Sequence, residues 1–186
     1  MKKPLSSGKN YIQFSNLTLY FYHDKRVLSQ FQYQKLRRLL AKTLPSIKKL
    51  LKSSYFPTKT AFAKAELISV SLHFCGMQKI RELNKGYRNK NKVTDVLSFP
   101  GYQDLRKAKH TDFIHPEIDL GDIIICAKQA GLQAKEHKID FYSEAVHLFI
   151  HGLLHLLGFD HEISLKEEKL MEKLEQKMIC DIKKPS

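Results

Sequence analysis

The spacing of apolar positions changes several times along the chain, and each change predicts an element. From Tyr11 to Tyr22, aromatic and β-branched residues alternate in part with polar ones, which predicts a strand and its turn. Between Val27 and Lys42 the spacing lengthens. Phe31, Leu36, Leu39, Leu40 and Leu44 recur at three- and four-residue steps, while Lys35, Arg37 and Arg38 take the wet side of an amphipathic helix. Pro45 lacks an N–H and is expected to end or kink that helix. A second short helix is expected over Ile47–Lys52, packed on a sheet; a membrane-surface helix through Lys48, Lys49 and Lys52 is the alternative. Further on, Ile68, Val70 and Leu72 alternate with Leu67, Ser69, Ser71 and His73, a strand broken by Gly76. A helix carrying Ile80, Leu83 and Asn84 is expected to end near Gly86, and Val93 to Phe99 reads as a strand stopped by Pro100.

Residues 101–118 are charged and without a period, and read as a surface excursion. Ile118 to Ile125 predicts a strand, Ala127 to Glu136 a helix, Ser143 to Leu157 a more apolar helix and Leu165 to Met178 a last amphipathic one. Leu153, Leu154, Leu156, Leu157, Met171, Leu174 and Met178 are the expected core-facing positions of the last two. Strands and helices mix without a repeat. The predicted class is α+β: one domain with a small mixed sheet flanked by helices, the helix of the apolar segment 143–157 at its centre. Residues 11–180 are expected to form that domain, with flexible tails at 1–10 and 181–186.

Composition narrows the class. A chain of 186 residues and 21.7 kDa suits one domain. Hydrophobic residues at 42% and charged residues at 27% exclude a mainly disordered chain, and no run of apolar residues reaches membrane-spanning length. Thirty-two Lys and Arg against 19 Asp and Glu leave a net charge of +13. That excess points to a polyanionic partner, nucleic acid first and anionic membrane second, with a solubility-tuned surface as the plain alternative. Cys75, Cys126 and Cys180 are odd in number and widely spaced, which suits free thiols in a reducing compartment. The start of the chain has no apolar run of the kind a secretory signal needs, so the expected location is the cytoplasm.

The chemistry concentrates in His-Gly-Leu-Leu-His-Leu-Leu-Gly-Phe-Asp-His, residues 151–161. His151 and His155 lie i and i+4 on the predicted helix, so both rings fall on one face at metal-binding distance. Gly158 can stop the helix and let the chain turn back with His161 as third ligand. Three imidazoles with one open position make a catalytic zinc site, where bound water has its pKa lowered towards neutrality. Solvated surface histidines, with His147 one turn earlier as a fourth, are the plain alternative. The zinc peptidase motif places a glutamate after its first histidine as general base; here that position is Gly152, so a peptidase would lack its proton acceptor.

Three blocks resemble the bacterial rRNA maturation factor family YbeY, zinc-dependent endoribonucleases specific for single strands: Leu83 to Pro100, Leu120 to Cys126, and His151 to His161. They cover much of residues 66–178, whereas the first 65 residues carry little likeness of their own. The resemblance implies one zinc ion held by His151, His155 and His161, and a functional role for Arg88. It also implies work on ribosomal RNA, including the 3′ end of the small-subunit RNA, a part in ribosome quality control, and association with the ribosome or small subunit and its assembly factors. Two departures stand out. Asn91 occupies a place where an acidic residue is common, and the 102–117 excursion is long and Lys-rich.

Within the first of those blocks, Lys85, Arg88, Lys90 and Lys92 put four cations in eight residues, with Tyr87 among them. Read as a basic loop, this stretch would neutralise phosphates, with Arg88 gripping two phosphate oxygens through its fork and Tyr87 either stacking on an unpaired base or packing. A solvated connection is the plain reading for Lys85 and Lys92. For Asp160 three roles stay open: accepting a hydrogen bond from a ligand histidine, capping the next helix, or anchoring the local turn. Asp122 is oddly polar among apolar neighbours, either supporting the loop architecture or lying near a cleft, and Cys126 has no pairing histidine in the sequence. The expected reaction is metal-assisted cleavage of an RNA phosphodiester. Attack by the 2′-OH and attack by water remain open. Two other classes remain: a zinc hydrolase of peptides or small esters, and a non-catalytic zinc-containing ribosome-assembly factor.

Overall fold

The computed structural model describes residues 10–109, 113 and 116–183. Of the expected tails at 1–10 and 181–186, residues 1–9 and 184–186 fall outside them; residue 10 is described, and 181–183 continue the last helix rather than forming a tail. Strands β1 (Tyr11–Phe14), β2 (Leu17–His23), β3 (Leu67–Cys75), β4 (Val96–Pro100) and β5 (Glu117–Cys126) form one sheet in the order β1-β2-β3-β5-β4. The central strands β2, β3 and β5 are parallel, and antiparallel β1 and β4 form the two edges. Pro100 closes β4 on an edge, where its missing N–H costs no ladder bond in the sheet interior.

Burial alternates strictly along β3, as the period-two pattern requires. Leu17, Leu19, Phe21, Ile68, Val70, Leu72, Ile123 and Ile125 are all buried in the main core. Over that core lie α1 (Gln30–Ala41), α2 (Leu44–Leu51), α3 (Lys59–Lys64), α6 (Phe141–Leu156) and α7 (Leu165–Lys183). A separate cluster of Ile80, Leu97 and Cys126 seats α4 (Met77–Arg88), and α5 (Ala127–Glu136) follows directly on β5. The α+β expectation with a mixed sheet and flanking helices therefore holds, and α6 is the most buried helix. Among the described residues, no helix is long and apolar enough to cross a membrane.

Several boundaries differ from the sequence expectation for physical reasons. Pro45 sits in the first turn of α2 rather than ending α1, a position where the absent N–H would have no helical partner anyway. Helix α4 runs through the exposed Gly86 to Arg88 and stops at Asn89, which takes the left-handed conformation at φ 56°. Lys85, Tyr87 and Arg88 are thus helical, not part of a loop. The short α3 had no clear period to announce it. The 101–118 excursion is only partly a surface feature: Leu105 is fully buried in the core, and Arg106 forms a bidentate ion pair with Glu167 of α7. The three cysteines are free, with Cys126 buried and the Cys75 thiol pushed up to about 12 by burial, so neither is a poised nucleophile.

Candidate metal centre

Helix α6 begins at Asp140, whose carboxylate accepts from the backbone N–H groups of Tyr142 and Ser143 at 3.0 and 3.3 Å. Leu148, Phe149, Ile150, Leu153, Leu154 and Leu156 bury most of its surface, leaving His147, His151 and His155 half-exposed along one face. Gly152 is buried against the sheet. A Cβ there would stand 2.9 Å from Ile123 Cγ2 and 3.0 Å from Ser98 Oγ. Glycine at this position lets the ligand helix lie directly on β4 and β5, and leaves no room for the glutamate of a peptidase motif.

The helix ends as the sequence predicts. Gly158 takes φ +87°, its N–H donates to His155 O at 3.0 Å, and Phe159 N–H donates to Leu154 O at 3.0 Å, a Schellman closure. Phe159 is fully buried, meets Tyr55 and Phe56 edge-on, and carries the Arg106 guanidinium over its ring at 4.6 Å. With the turn pinned at Phe159, the chain doubles back and presents His161 to the two helical histidines.

One ring nitrogen from each of His151, His155 and His161 lies within 4.8 Å of the others. The Nε2 atoms of His151 and His155 are 3.2 Å apart. Two nitrogens each bound to zinc at about 2.0–2.1 Å across a tetrahedral angle would be separated by about 3.3 Å. The donor spacing therefore fits one zinc ion per chain. Protonation states fit as well. Burial first, then the neighbouring His151 and His161, push His155 down to about 4, so it offers a neutral imidazole at physiological pH.

Glu175 of α7 is the functional residue that sequence reasoning missed. Its Oε1 lies 2.8 Å from His151 Nδ1, which assigns that nitrogen as the N–H donor and leaves the Nε2 lone pair facing the cluster. Burial opposes its charge, but His147 and His151 outweigh that and hold its carboxyl down at about 2. Asp160, the expected candidate for this place, instead accepts from Glu162 N–H at 2.9 Å and anchors the turn before His161. Capping of α7 falls to Ser164, whose hydroxyl accepts from Glu167 N–H at 3.2 Å.

The histidines form one wall of a cleft of about 440 Å³, and Arg88, Thr94, Asp95, Ser98 and Asp104 contribute to the rest. Arg88 and the three histidines, far apart in sequence, thus line one cleft. Lys90, Lys92 and Tyr87 lie outside the cleft lining. Lys90 and Lys92 flank a turn pinned by buried Asn84, whose Nδ2 donates to Lys92 O at 2.9 Å and whose carbonyl accepts from Lys90 N–H. Tyr87 packs edge-on against Phe99 at 4.9 Å and still exposes 71% of its surface. Asp122 does not line the cleft; it pairs with His73 at 3.3 Å across β3 and β5.

Comparison with known proteins gives the same assignment. The family model described as Endoribonuclease YbeY matches residues 28–183. The chain is 37% identical over 155 residues to the endoribonuclease YbeY of Thermodesulfovibrio yellowstonii, covering 81% of this chain and 92% of that relative. It is 38% identical over 135 residues to that of Caldicellulosiruptor bescii, covering 72% and 85%. A solution structure of TM1509 from Thermotoga maritima covers 78% of this chain and 81% of its own at 26% identity and a TM-score of 0.47. A histidine triad spaced for one zinc ion, a cleft shared with Arg88, and a family match spanning nearly the whole described chain lead to one conclusion: the chain belongs to the endoribonuclease YbeY family.

Proposed function

We propose that this chain is a zinc-dependent endoribonuclease that cuts single-stranded segments of ribosomal RNA during rRNA maturation, the 3′ end of the small-subunit RNA among them, and that it works in the cytoplasm in association with the small ribosomal subunit. The observation that carries the reading is the meeting of Arg88 with the His151–His155–His161 cluster across one cleft. The net charge of +13 suits a polyanionic substrate. Gly152, with no space for a side chain, argues against a peptidase.

His151, His155 and His161 hold the metal, which when bound supplies Lewis-acid polarisation at a phosphoryl oxygen. Arg88 is exposed at the end of α4, with a planar fork that grips a phosphodiester on two oxygens and stabilises charge developing there. The cleft itself is rich in carboxylates. Asp95 is one of them, held ionised against burial by hydrogen bonds from Gln133, Val96 N–H and Thr94. Among the charged side chains lining the cleft, Arg88 attracts a phosphate whereas Asp95, Asp104, Asp160 and Glu162 repel one, which restricts where the backbone can sit. Outside the cleft, Lys90 and Lys92 add charge along the approach, and the exposed ring of Tyr87 gives an unpaired base a surface to stack on.

The test is cleavage of an end-labelled ribosomal RNA fragment containing paired and unpaired regions by wild type, Arg88→Ala and His155→Ala, with zinc content and folding measured on each. Cuts confined to the unpaired region and strongly reduced in both variants are expected. Equal trace cleavage in all three samples would reduce the chain to a zinc-bearing RNA-binding factor.

A further inference from the structure

Behind the ligand histidines runs a line of alternating imidazoles and carboxylates. Glu144 of α6 is 1% exposed, the one buried carboxylate among the described residues. Its Oε2 lies 3.3 Å from Nδ1 of His137, at the end of α5, and 4.0 Å from Nδ1 of His147. His147 Nε2 in turn lies 3.6 Å from Glu175 Oε2, an ion-pair contact rather than a hydrogen bond. Glu175 Oε1 closes on His151 Nδ1 at 2.8 Å. Each oxygen of Glu175 therefore faces a different imidazole, and the carboxylate is gripped from both sides between α6 and α7.

We propose that Glu175 is the positioning residue for the metal ligand His151, and that His147 and buried Glu144 form the layer that keeps Glu175 aimed at it. This rests on the reading that the three histidines hold a metal. A free imidazole exchanges its proton between two nitrogens and rotates about its χ angles. Glu175 removes both freedoms, fixing the proton on Nδ1 and turning Nε2 towards His155 and His161. Its negative charge also makes His151 a stronger donor to a cation. The polar oxygens of a side chain as buried as Glu144 are met by the two histidines beside it, which gives them partners inside the helix layer.

The test compares wild type, Glu175→Gln, Glu175→Ala and Glu144→Gln by zinc competition against a chromophoric chelator. Imidazole 15N–1H correlation spectra of the zinc-free proteins are recorded alongside. Glu175→Gln keeps the shape and an acceptor oxygen but loses the charge, and is expected to weaken zinc binding about 10-fold; Glu175→Ala loses both and is expected to approach about 100-fold. Glu144→Gln should fall below Glu175→Gln. In zinc-free wild type, His151 should carry its proton on Nδ1, and in Glu175→Ala it should populate both tautomers. The zinc-free unfolding midpoint of each variant separates loss of aim from loss of fold. Wild-type zinc affinity in Glu175→Ala, or a zinc-free wild type with His151 protonated on Nε2, overturns the proposal while leaving the metal site standing. Wild type that takes up no zinc overturns both.

Discussion

Replacing Gly152 by alanine sets two effects of opposite sign against each other. Glycine in a helix interior is destabilising relative to alanine by about 0.5–1 kcal/mol, so on an open face the substitution would stabilise α6. Here the new methyl would stand 2.9 Å from Ile123 Cγ2 and 3.0 Å from Ser98 Oγ, about half an ångström inside ordinary contact. Ile123 is fully buried in an interior strand and β-branched side chains are stiff at χ1, so the overlap is expected to be relieved by moving α6 away from the sheet. Overpacking of that kind costs about 1–3 kcal/mol. The net expectation is a loss of about 1–2 kcal/mol, or a fall in Tm of roughly 2–8 °C for a chain of this size. Urea unfolding of zinc-free protein reads it without the contribution of bound metal, as a lower midpoint at unchanged m. A midpoint at or above wild type would refute the claim that close approach of helix and sheet explains this glycine.

Arg106→Ala removes the ion pair to Glu167 and the cation over Phe159, and is expected to cost about 1–3 kcal/mol in chemical denaturation and to weaken zinc retention through His161. Arg88→Ala should leave the unfolding midpoint within about 0.5 kcal/mol and zinc content unchanged, because the side chain is exposed; a large stability loss would make Arg88 structural. Leu105→Ala should cost about 2–5 kcal/mol, a value out of reach for a residue in a solvated excursion. For the zinc-free protein, His155 is lowered in the fold to about 4 from 6.5, so the unfolded chain binds the extra proton as pH falls through that window. Stability should therefore decline from about pH 6.5 to 4, and His155→Asn should flatten that part of a pH series of unfolding midpoints.

What the sequence made legible is what short-range geometry controls. His151, His155, Gly158 and His161 sit within one helix end, where periodicity and a positive-φ glycine decide the arrangement without help from elsewhere. The alternation of β3 and the amphipathic faces of α1 and α7 are equally local. Glu175 could not be read this way. Its charge suits the wet side of α7, and only the packing of α7 against α6 brings it to His151, 24 positions away. Leu105 was hidden for a related reason, as one apolar residue in a charged segment with no period. Gly86 misled as a helix stop because an exposed glycine costs α4 only about 1 kcal/mol, less than the helix gains by continuing to Asn89.

The turn at Gly158 and Phe159 bears on when the protein can take up its metal. Two donors come from one helix and are adjacent as soon as α6 forms. The third is delivered only when the chain after the helix is clamped, and the clamp includes Arg106, which donates towards Gly158 O across 52 positions. Helix α6 alone therefore offers only two of the three donors, and the third is held in place by contacts with the 102–109 segment. A complete site is contingent on long-range contacts. Zinc on this chain would report completed tertiary structure rather than nucleate it, the reverse of a small zinc finger whose ion organises an otherwise unfolded chain.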